Sequence, residues 1–150
     1  MAAALLVPLL VSSCDDNPNA PDVGITVVMP ASVTAPIVTC LECTTDPTVW
    51  AVAEANVTII NGSGRSLDVA TVEARAFNRT RNTLITSNTR PNTDHTYAET
   101  FIPNNGLLTL AAGVVYFPLP PPGDDVQFAV VVTFRDGTVA RGETRLITGP

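Results

Sequence analysis

The chain has 150 residues, enough for one domain, and its 14 acidic side chains against 8 basic ones give a net charge of −6. Every basic side chain is an arginine, since the sequence contains no lysine. This acidic balance argues against binding to nucleic acid, which depends on neutralising phosphates. It argues equally against electrostatic adhesion to anionic lipid.

The first fourteen residues contain an apolar run that ends in Val11-Ser12-Ser13-Cys14 and is followed at once by Asp15 and Asp16. About 20 apolar residues are needed to cross a bilayer. Only about ten precede the serine pair, which fits the apolar region of a signal peptide. An aliphatic residue, two small residues and a cysteine resemble the lipobox of bacterial lipoproteins. The resemblance implies that residues 1–13 are a signal peptide and that Cys14 carries the lipid.

The leader departs from the usual pattern because no Lys or Arg precedes its apolar run, whereas a basic start is typical of signal peptides. Either the α-amino group of Met1 supplies the positive charge or the true start lies upstream. The alternative interpretation is a short buried strand or helix that happens to end in cysteine. Residues 14–23 are rich in Pro, Asn and Asp, which predicts a flexible tether between the lipid and a folded domain.

With Cys14 assigned to the lipid, Cys40 and Cys43 remain as a closely spaced pair. In an oxidising envelope compartment this spacing predicts a local disulfide. A redox-active pair is expected at the start of a helix, but a turn sequence follows Cys43. A zinc site needs further ligands, and the single histidine, His95, is the spare candidate. The redox and metal interpretations stay open beside the disulfide.

Strand signals begin at residue 24. Residues 24–29 predict an edge strand stopped by Pro30, and residues 30–48 predict an irregular connection with one short strand at 37–39. Apolar and polar side chains alternate from residue 49 to 59, which predicts a half-buried strand. The turn sequence Asn61-Gly62-Ser63-Gly64 ends it. Residues 67–77 change parity near Ala70, which predicts a β-bulge.

The second half of the chain continues the β pattern. Residues 78–96 are polar and predict one short strand at Leu84-Ile85, and residues 106–110 and 114–117 predict strand pieces interrupted at Gly113. Residues 126–134 and 139–147 predict the best-defined hairpin, with Asp136-Gly137 as a two-residue turn. Its core-facing set is Val126, Phe128, Val130, Val132 and Phe134, and its outer face carries Arg141, Glu143 and Arg145.

Strands separated by turns at intervals of about ten residues are typical of a β-sandwich. Residues 57–67 (VTIINGSGRSL) and 110–117 (LAAGVVYF) resemble the bacterial immunoglobulin-like modules of FxLYD or CARDB type. The expected fold is therefore an all-β, immunoglobulin-like antiparallel sandwich of about seven strands over residues 24–150. The resemblance implies a module that binds, spaces or displays.

Catalysis finds little support in the sequence. His95 is the single histidine and lies beside Asp94 in a polar segment, which offers no nucleophile, base and orienter together. Asp124-Asp125 lacks the spacing of a calcium loop and is expected to be a solvated turn. We therefore predict no catalytic residue, no metal site and no cofactor.

Two functional hypotheses follow. In the first, the protein is anchored in the cell envelope, on the periplasmic or cell-surface side, by the lipid on Cys14. Its immunoglobulin-like domain is then a non-enzymatic binding or structural module, with an envelope protein or a glycan as the expected partner and no nucleic acid. The alternative is an envelope redox or metal-handling protein that uses Cys40 and Cys43.

Overall fold

The computed structural model describes residues 24–39, 49–91 and 100–149, and within these ranges every regular element is a β-strand. The nine strands are β1 (Ile25–Val28), β2 (Ser32–Thr39), β3 (Val49–Asn61), β4 (Leu67–Asn78), β5 (Thr83–Pro91), β6 (Phe101–Ile102), β7 (Leu107–Pro118), β8 (Val126–Phe134) and β9 (Val139–Gly149). The predicted all-β fold class is confirmed, with nine strands where about seven were expected. The expected antiparallel arrangement holds for every pair of described strands except β2 and β9, which are parallel.

The strands form two layers around one core. In sheet 1, β3 pairs antiparallel with β1 along one edge and with β7 along the other. In sheet 2 the order is β5-β4-β8-β9, also antiparallel, and the short β6 pairs with the start of β4. Apolar side chains from both sheets form a single buried cluster.

One strand, β2, belongs to both sheets. Residues 32–36 pair parallel with β9, and residues 37–39 pair antiparallel with β3. The change of partner falls at Pro36, which has no N–H to donate and therefore suits the point where one ladder ends. The sequence predicted a strand only at 37–39. This was too short, because the proline and the exposed side chains around it conceal the pairing of residues 32–36.

The alternation in β3, β4 and β8 is confirmed. In β3 the predicted inward residues, from Ala51 to Ile59, are at most 7% exposed. In β8 the five predicted core positions from Val126 to Phe134 are at most 3% exposed. The predicted bulge in β4 is present, since its register with β8 shifts between Val69 and Thr71. A strand period of two therefore located most of the core.

Two strands are longer than the sequence predicted. β5 runs over nine residues although Thr, Ser and Asn dominate it, because it pairs along β4 at the edge of sheet 2, where a solvated side needs no apolar residues. β7 continues through Gly113, so the predicted interruption was wrong. A Cβ at that position would lie 3.1 Å from the carbonyl oxygen of Ala53. The glycine therefore permits close pairing with β3.

The turn between β8 and β9 also differs from the expectation. Phe134 donates its N–H to the carbonyl of Thr138 at 2.9 Å, and Gly137 donates to the carbonyl of Phe134 at 2.9 Å. Gly137 has φ +89°. The loop therefore has three residues with a left-handed glycine at its end, which is another common hairpin geometry, in place of the predicted two-residue turn.

A buried asparagine closes one end of the sandwich. Asn61, the last residue of β3, is 0% exposed. Its Nδ2 donates to the carbonyls of Arg65 at 2.7 Å, Ile102 at 3.2 Å and Pro103 at 3.1 Å. Its Oδ1 accepts from Ser63 N at 3.1 Å and from Ser63 Oγ at 2.7 Å. One side chain thus satisfies backbone groups of two neighbouring loops.

We predict that Phe128→Ala lowers the free energy of unfolding by about 3–5 kcal/mol, because it removes a fully buried ring from β8. Thr133→Ala on the same strand is the matched control, since Thr133 is only partly buried on the opposite face. Urea denaturation of both variants measures the difference. Equal losses of unfolding free energy in the two variants would show that the inward and outward positions of β8 are assigned wrongly.

Candidate functional site

The outer face of sheet 2 carries the candidate site. The register places outward side chains of β4, β8 and β9 in three consecutive rows. The rows are Glu73, Val131 and Arg141; Arg75, Ala129 and Glu143; and Phe77, Gln127 and Arg145. The central strand, β8, contributes only uncharged side chains, and the charged ones stand on the strands to either side. The face is therefore a shallow channel with β8 as its floor.

A cavity of about 540 Å³ opens on this channel, and we call it the sheet 2 cavity. Three arginines line it, together with apolar and polar side chains from four strands and the β4–β5 turn. Its lining residues are Arg75, Arg79, Arg141, Phe77, Leu84, Asn82, Gln127, Ala129 and Glu143. Ala129 faces outward yet is only 1% exposed, because the longer neighbouring side chains cover this small residue. The short side chain at 129 is what creates the depression.

Two ion pairs run along the walls of the channel. Arg75 donates from Nε to Glu73 Oε1 at 2.8 Å and from Nη2 to Glu73 Oε2 at 2.7 Å. This two-point contact lowers the pKa of the Glu73 carboxyl and raises the pKa of the Arg75 guanidinium. On the opposite wall Arg141 Nη2 donates to Glu143 Oε2 at 3.0 Å. Both pairs join residues two apart on one strand, so neither crosses the floor.

Arg79 and Arg145 differ from the other arginines whose side chains are described. Five arginines each lie within 2.6–3.1 Å of a carboxylate: Arg65, Arg75, Arg81, Arg135 and Arg141. No carboxylate among the described residues forms a salt bridge with Arg79 or Arg145. Both line a second, smaller depression of about 320 Å³ beside the first, together with Gln127, Thr144, Asp125 and Glu143.

The loop that carries Arg79 is held by a second buried asparagine. Asn78, the last residue of β4, is 2% exposed, and its Nδ2 donates to Asp124 Oδ2 at 2.7 Å. Arg81 Nε donates to the same oxygen at 2.6 Å. These two contacts lower the pKa of the Asp124 carboxyl. The N–H of Arg79 donates to the carbonyl of Asp125 at 2.8 Å, which fixes where its side chain leaves the backbone.

Asp124 therefore has a structural partner set, whereas the sequence predicted a solvated turn at Asp124-Asp125. Asp125 is exposed, but its backbone N–H donates to Thr80 Oγ1 at 2.8 Å. Within the described part of the chain, no three His, Cys, Asp or Glu side chains come together as ligands for a metal ion.

The residues predicted to carry chemistry lie elsewhere. Cys14, Cys40, Cys43 and His95 all fall outside the described residues, so the predictions about them stay predictions. The segment that contains Cys40 and Cys43 joins Thr39 to Val49, which are register partners in β2 and β3. Among the described residues, no helix has the length and apolar character needed to cross a membrane.

Sequence reasoning placed Arg141, Glu143 and Arg145 on an outer face but assigned that face no function. It did not identify the opposite wall of Glu73, Arg75 and Phe77. The signal was available in residues 73–79 (EARAFNR), where every second side chain is charged or aromatic. What the sequence does not contain is the register, which alone brings these two walls to either side of β8.

Comparison with known proteins gives a fold and no family. No protein-family model matches the chain, and no curated protein matches it. Among solved structures, Northeast Structural Genomics Consortium target SoR45 is 16% identical with a TM-score of 0.50, over 86% of this chain and 90% of that one. Spo0M, a sporulation control protein from Bacillus subtilis, is 8% identical with a TM-score of 0.49. That match covers 84% of this chain and 49% of Spo0M, about half its length. At 16% identity the likeness to SoR45 bears on the fold alone.

We predict that acidification weakens the fold in part through Glu73. Because the pKa of Glu73 is lowered in the folded protein, its contribution is fully present above the unfolded carboxyl pKa of about 4 and is lost as the pH falls through the lower folded value. Urea denaturation should therefore show that, below pH ~4, the free energy of unfolding falls more steeply with pH for the wild type than for Glu73→Gln. The effect should be at most about 1 kcal/mol, since the pair is partly exposed.

Glu54→Gln is the matched control for this experiment. Glu54 is exposed on the outer face of sheet 1, and its substitution removes the same charge from a site with no arginine partner among the described residues. It should leave the acid-induced loss as steep as in the wild type. If Glu73→Gln and the wild type lose stability in parallel, the Glu73–Arg75 contact does not contribute to folding.

Proposed function

We propose that the chain is a lipid-anchored protein of the cell envelope whose immunoglobulin-like domain is a non-enzymatic binding module. The outer face of sheet 2 is its binding surface. The observation that carries the proposal is the sheet 2 cavity, an open depression of about 540 Å³ with arginines on both walls and an apolar side formed by Phe77 and Leu84. Its volume lies within the usual range of ligand sites, about 300–1,000 Å³.

The electrostatics of this face support binding more than acid–base catalysis. A carboxyl that acts as a general acid at neutral pH needs a raised pKa. Glu73 has its pKa lowered by the hydrogen bonds from Arg75. Asp124, at the loop beside the cavity, has its pKa lowered by Asn78 and Arg81. These carboxylates are held ionised by cationic and amide donors, as in structural ion pairs.

Attachment to the membrane rests on Val11-Ser12-Ser13-Cys14 and the acidic residues that follow it. The fold indicates which end of the domain such an anchor would join. The domain starts at Ile25, which pairs with Asn61, the last residue of β3. The end of β4, the turn at 79–82 and the start of β8 lie at the opposite end of the strands. The tether would therefore join the domain at the end far from Arg79.

The tether is too short to reverse this arrangement. Ten residues span at most about 33–36 Å when fully extended. The twelve residues of β4 are themselves about 40 Å long. A domain anchored through residues 14–23 would then hold the end with Arg79 and Asn82 away from the lipid surface, where an envelope protein or a glycan could reach the cavity.

The alternative function, redox or metal handling by Cys40 and Cys43, depends on the spacing of those two cysteines. No contact among the described residues favours it over the binding module. It stays the alternative prediction.

Cys14→Ser should abolish lipid attachment. We expect the wild type to incorporate radiolabelled palmitate and to sediment with membranes, and the Cys14→Ser variant to do neither. The double variant Cys40→Ser/Cys43→Ser is the control, since it removes two cysteines and leaves the lipobox intact. Palmitate incorporation into Cys14→Ser, or its absence from the wild type, would contradict the anchor.

A photo-crosslinking amino acid on the floor of the cavity should capture the partner. We expect benzoylphenylalanine at position 127, in β8, to give an adduct of higher mass in living cells on irradiation. The same residue at position 109 is the control, because Thr109 is exposed on the outer face of sheet 1. The reagent inserts into C–H bonds of proteins and glycans alike. Adducts at 109 alone, or at neither position, would contradict binding through sheet 2.

A further inference from the structure

We propose that the sheet 2 cavity and the smaller depression beside it together bind an acidic oligosaccharide, a sugar chain that carries carboxylate groups. This inference rests on the proposed binding function and adds the chemical class of the ligand. Its first support is the pair of arginines without a carboxylate partner. Five described carboxylates each pair with another arginine, and Arg79 and Arg145 form no salt bridge with a described carboxylate. These two arginines lie on either side of Gln127 in the smaller depression, whose lining also includes the carboxylates of Asp125 and Glu143.

The spacing of these two arginines suits a ligand with anionic groups close together. Arg145, Gln127 and Phe77 lie in one row across the sheet, and Arg79 lies two residues beyond Phe77. With about 4.8 Å between strands and about 3.4 Å per residue, the Cα atoms of Arg79 and Arg145 are about 12 Å apart. Two extended guanidinium side chains can then meet one carboxylate, or hold two on neighbouring sugar rings. A planar guanidinium suits a carboxylate because it donates two parallel hydrogen bonds.

The rest of the lining suits a sugar. The side-chain amides of Asn82 and Gln127 both donate and accept hydrogen bonds, as sugar hydroxyls do. Phe77 is partly buried and Leu84 is 54% exposed, so the cavity has an apolar wall against which the C–H face of a sugar ring can pack. Hydroxyl partners, a pair of arginines for carboxylates and an apolar wall are thus present in two adjoining depressions that share Arg79 and Gln127.

An acidic peptide fits this location less well. Extended peptides commonly bind a sheet by adding a strand at its edge, where backbone groups are free to pair. The cavity lies instead over β8, whose backbone is already paired with β4 and β9. A peptide here would have to be held by side chains alone. A sugar chain has no backbone amides that need a strand edge, and its hydroxyls can pair with the side chains of this face.

The test uses the full chain in detergent micelles with three probes: hexagalacturonate, the neutral sugar maltohexaose and hexaglutamate. Microscale thermophoresis measures the affinity of each probe. We expect hexagalacturonate to bind, with an affinity that falls as salt rises because exposed charges are screened. Maltohexaose should not bind, and hexaglutamate should bind at least about tenfold more weakly than hexagalacturonate.

Arg79→Gln and Arg145→Gln should each weaken hexagalacturonate binding about tenfold or more, because each removes a charged hydrogen-bond donor. Arg135→Gln is the matched control. Arg135 is also exposed but pairs with Asp68 at the opposite end of the sandwich, so this variant should bind as the wild type does. Both test positions are exposed, so the variants should keep the β fold, and circular dichroism is the measurement that checks this.

The inference is overturned if hexagalacturonate fails to bind at millimolar concentration, or if the Arg79 and Arg145 variants bind it as the wild type does. It is also overturned if hexaglutamate binds as tightly, which would make the partner an acidic peptide. A crosslinked adduct at position 127 without uronate binding would reject the acidic sugar and leave the binding module standing. If there is neither a crosslinked adduct at position 127 nor binding of hexagalacturonate, both the binding module and the acidic-sugar ligand are rejected.

Discussion

The register of β8 between β4 and β9 is the constraint on which both the core and the outer face depend. Because side chains alternate along a strand, a slip of one residue would exchange every inward residue of β8 for an outward one. Phe128 and Val130 would move to solvent, and Gln127 would move into the core. The same pairing aligns Arg75 and Glu143 across Ala129. Burial of the apolar side chains of β8 therefore fixes the register, and the register in turn positions the side chains of the channel on the outer face.

Buried asparagines hold the loops at both ends of this framework. Asn61 ends β3 and contacts carbonyls in two loops, and Asn78 ends β4 and contacts Asp124 and the N–H of Arg81. Leaving such buried polar groups unpaired typically costs about 1–3 kcal/mol each. The contacts at Asn78 determine where the chain leaves β4, and hence where Arg79 stands relative to the cavity. Loop position and site geometry are thus linked through one amide side chain.

The sequence alone could predict the strands whose pattern is a clean alternation. β3, β8 and the bulge in β4 followed from residue order, because one face of each strand is almost entirely apolar. β2 and β5 were underpredicted because their stability comes from pairing with neighbours at the margins of the sheets, and their own side chains are largely polar or exposed. Gly113 was interpreted as a break, yet it meets the backbone of β3 closely. For residues 32–36 and for Gly113 the deciding partner is distant in the sequence, whereas for β5 it is the preceding strand, β4.

The same limit applies to the candidate site. Arg141, Glu143 and Arg145 could be placed on an outer face from their spacing, since they occupy alternate positions of one strand. Their position opposite Arg75 and Phe77 could not, because it depends on how three strands align. The depression also depends on Ala129, a small residue whose outward position follows from the strand alternation but whose longer neighbours do not. Chemistry that is shared between strands is therefore visible only when the register is known.

The way the arginines are held bears on how tightly such a face could bind. Arg75 is already fixed by two hydrogen bonds to Glu73, so binding would immobilise chiefly Arg79 and Arg145, at roughly 0.5–1.5 kcal/mol for each side chain. A shallow, solvated site with two such donors would give a modest affinity for a single sugar unit. On the proposed function, the lipid anchor places many copies on one surface, and an acidic polysaccharide repeats its carboxylates along the chain. Linked binding events of this kind raise overall affinity by orders of magnitude without new contacts. Modest individual contacts would then suffice for stable attachment to a polymer.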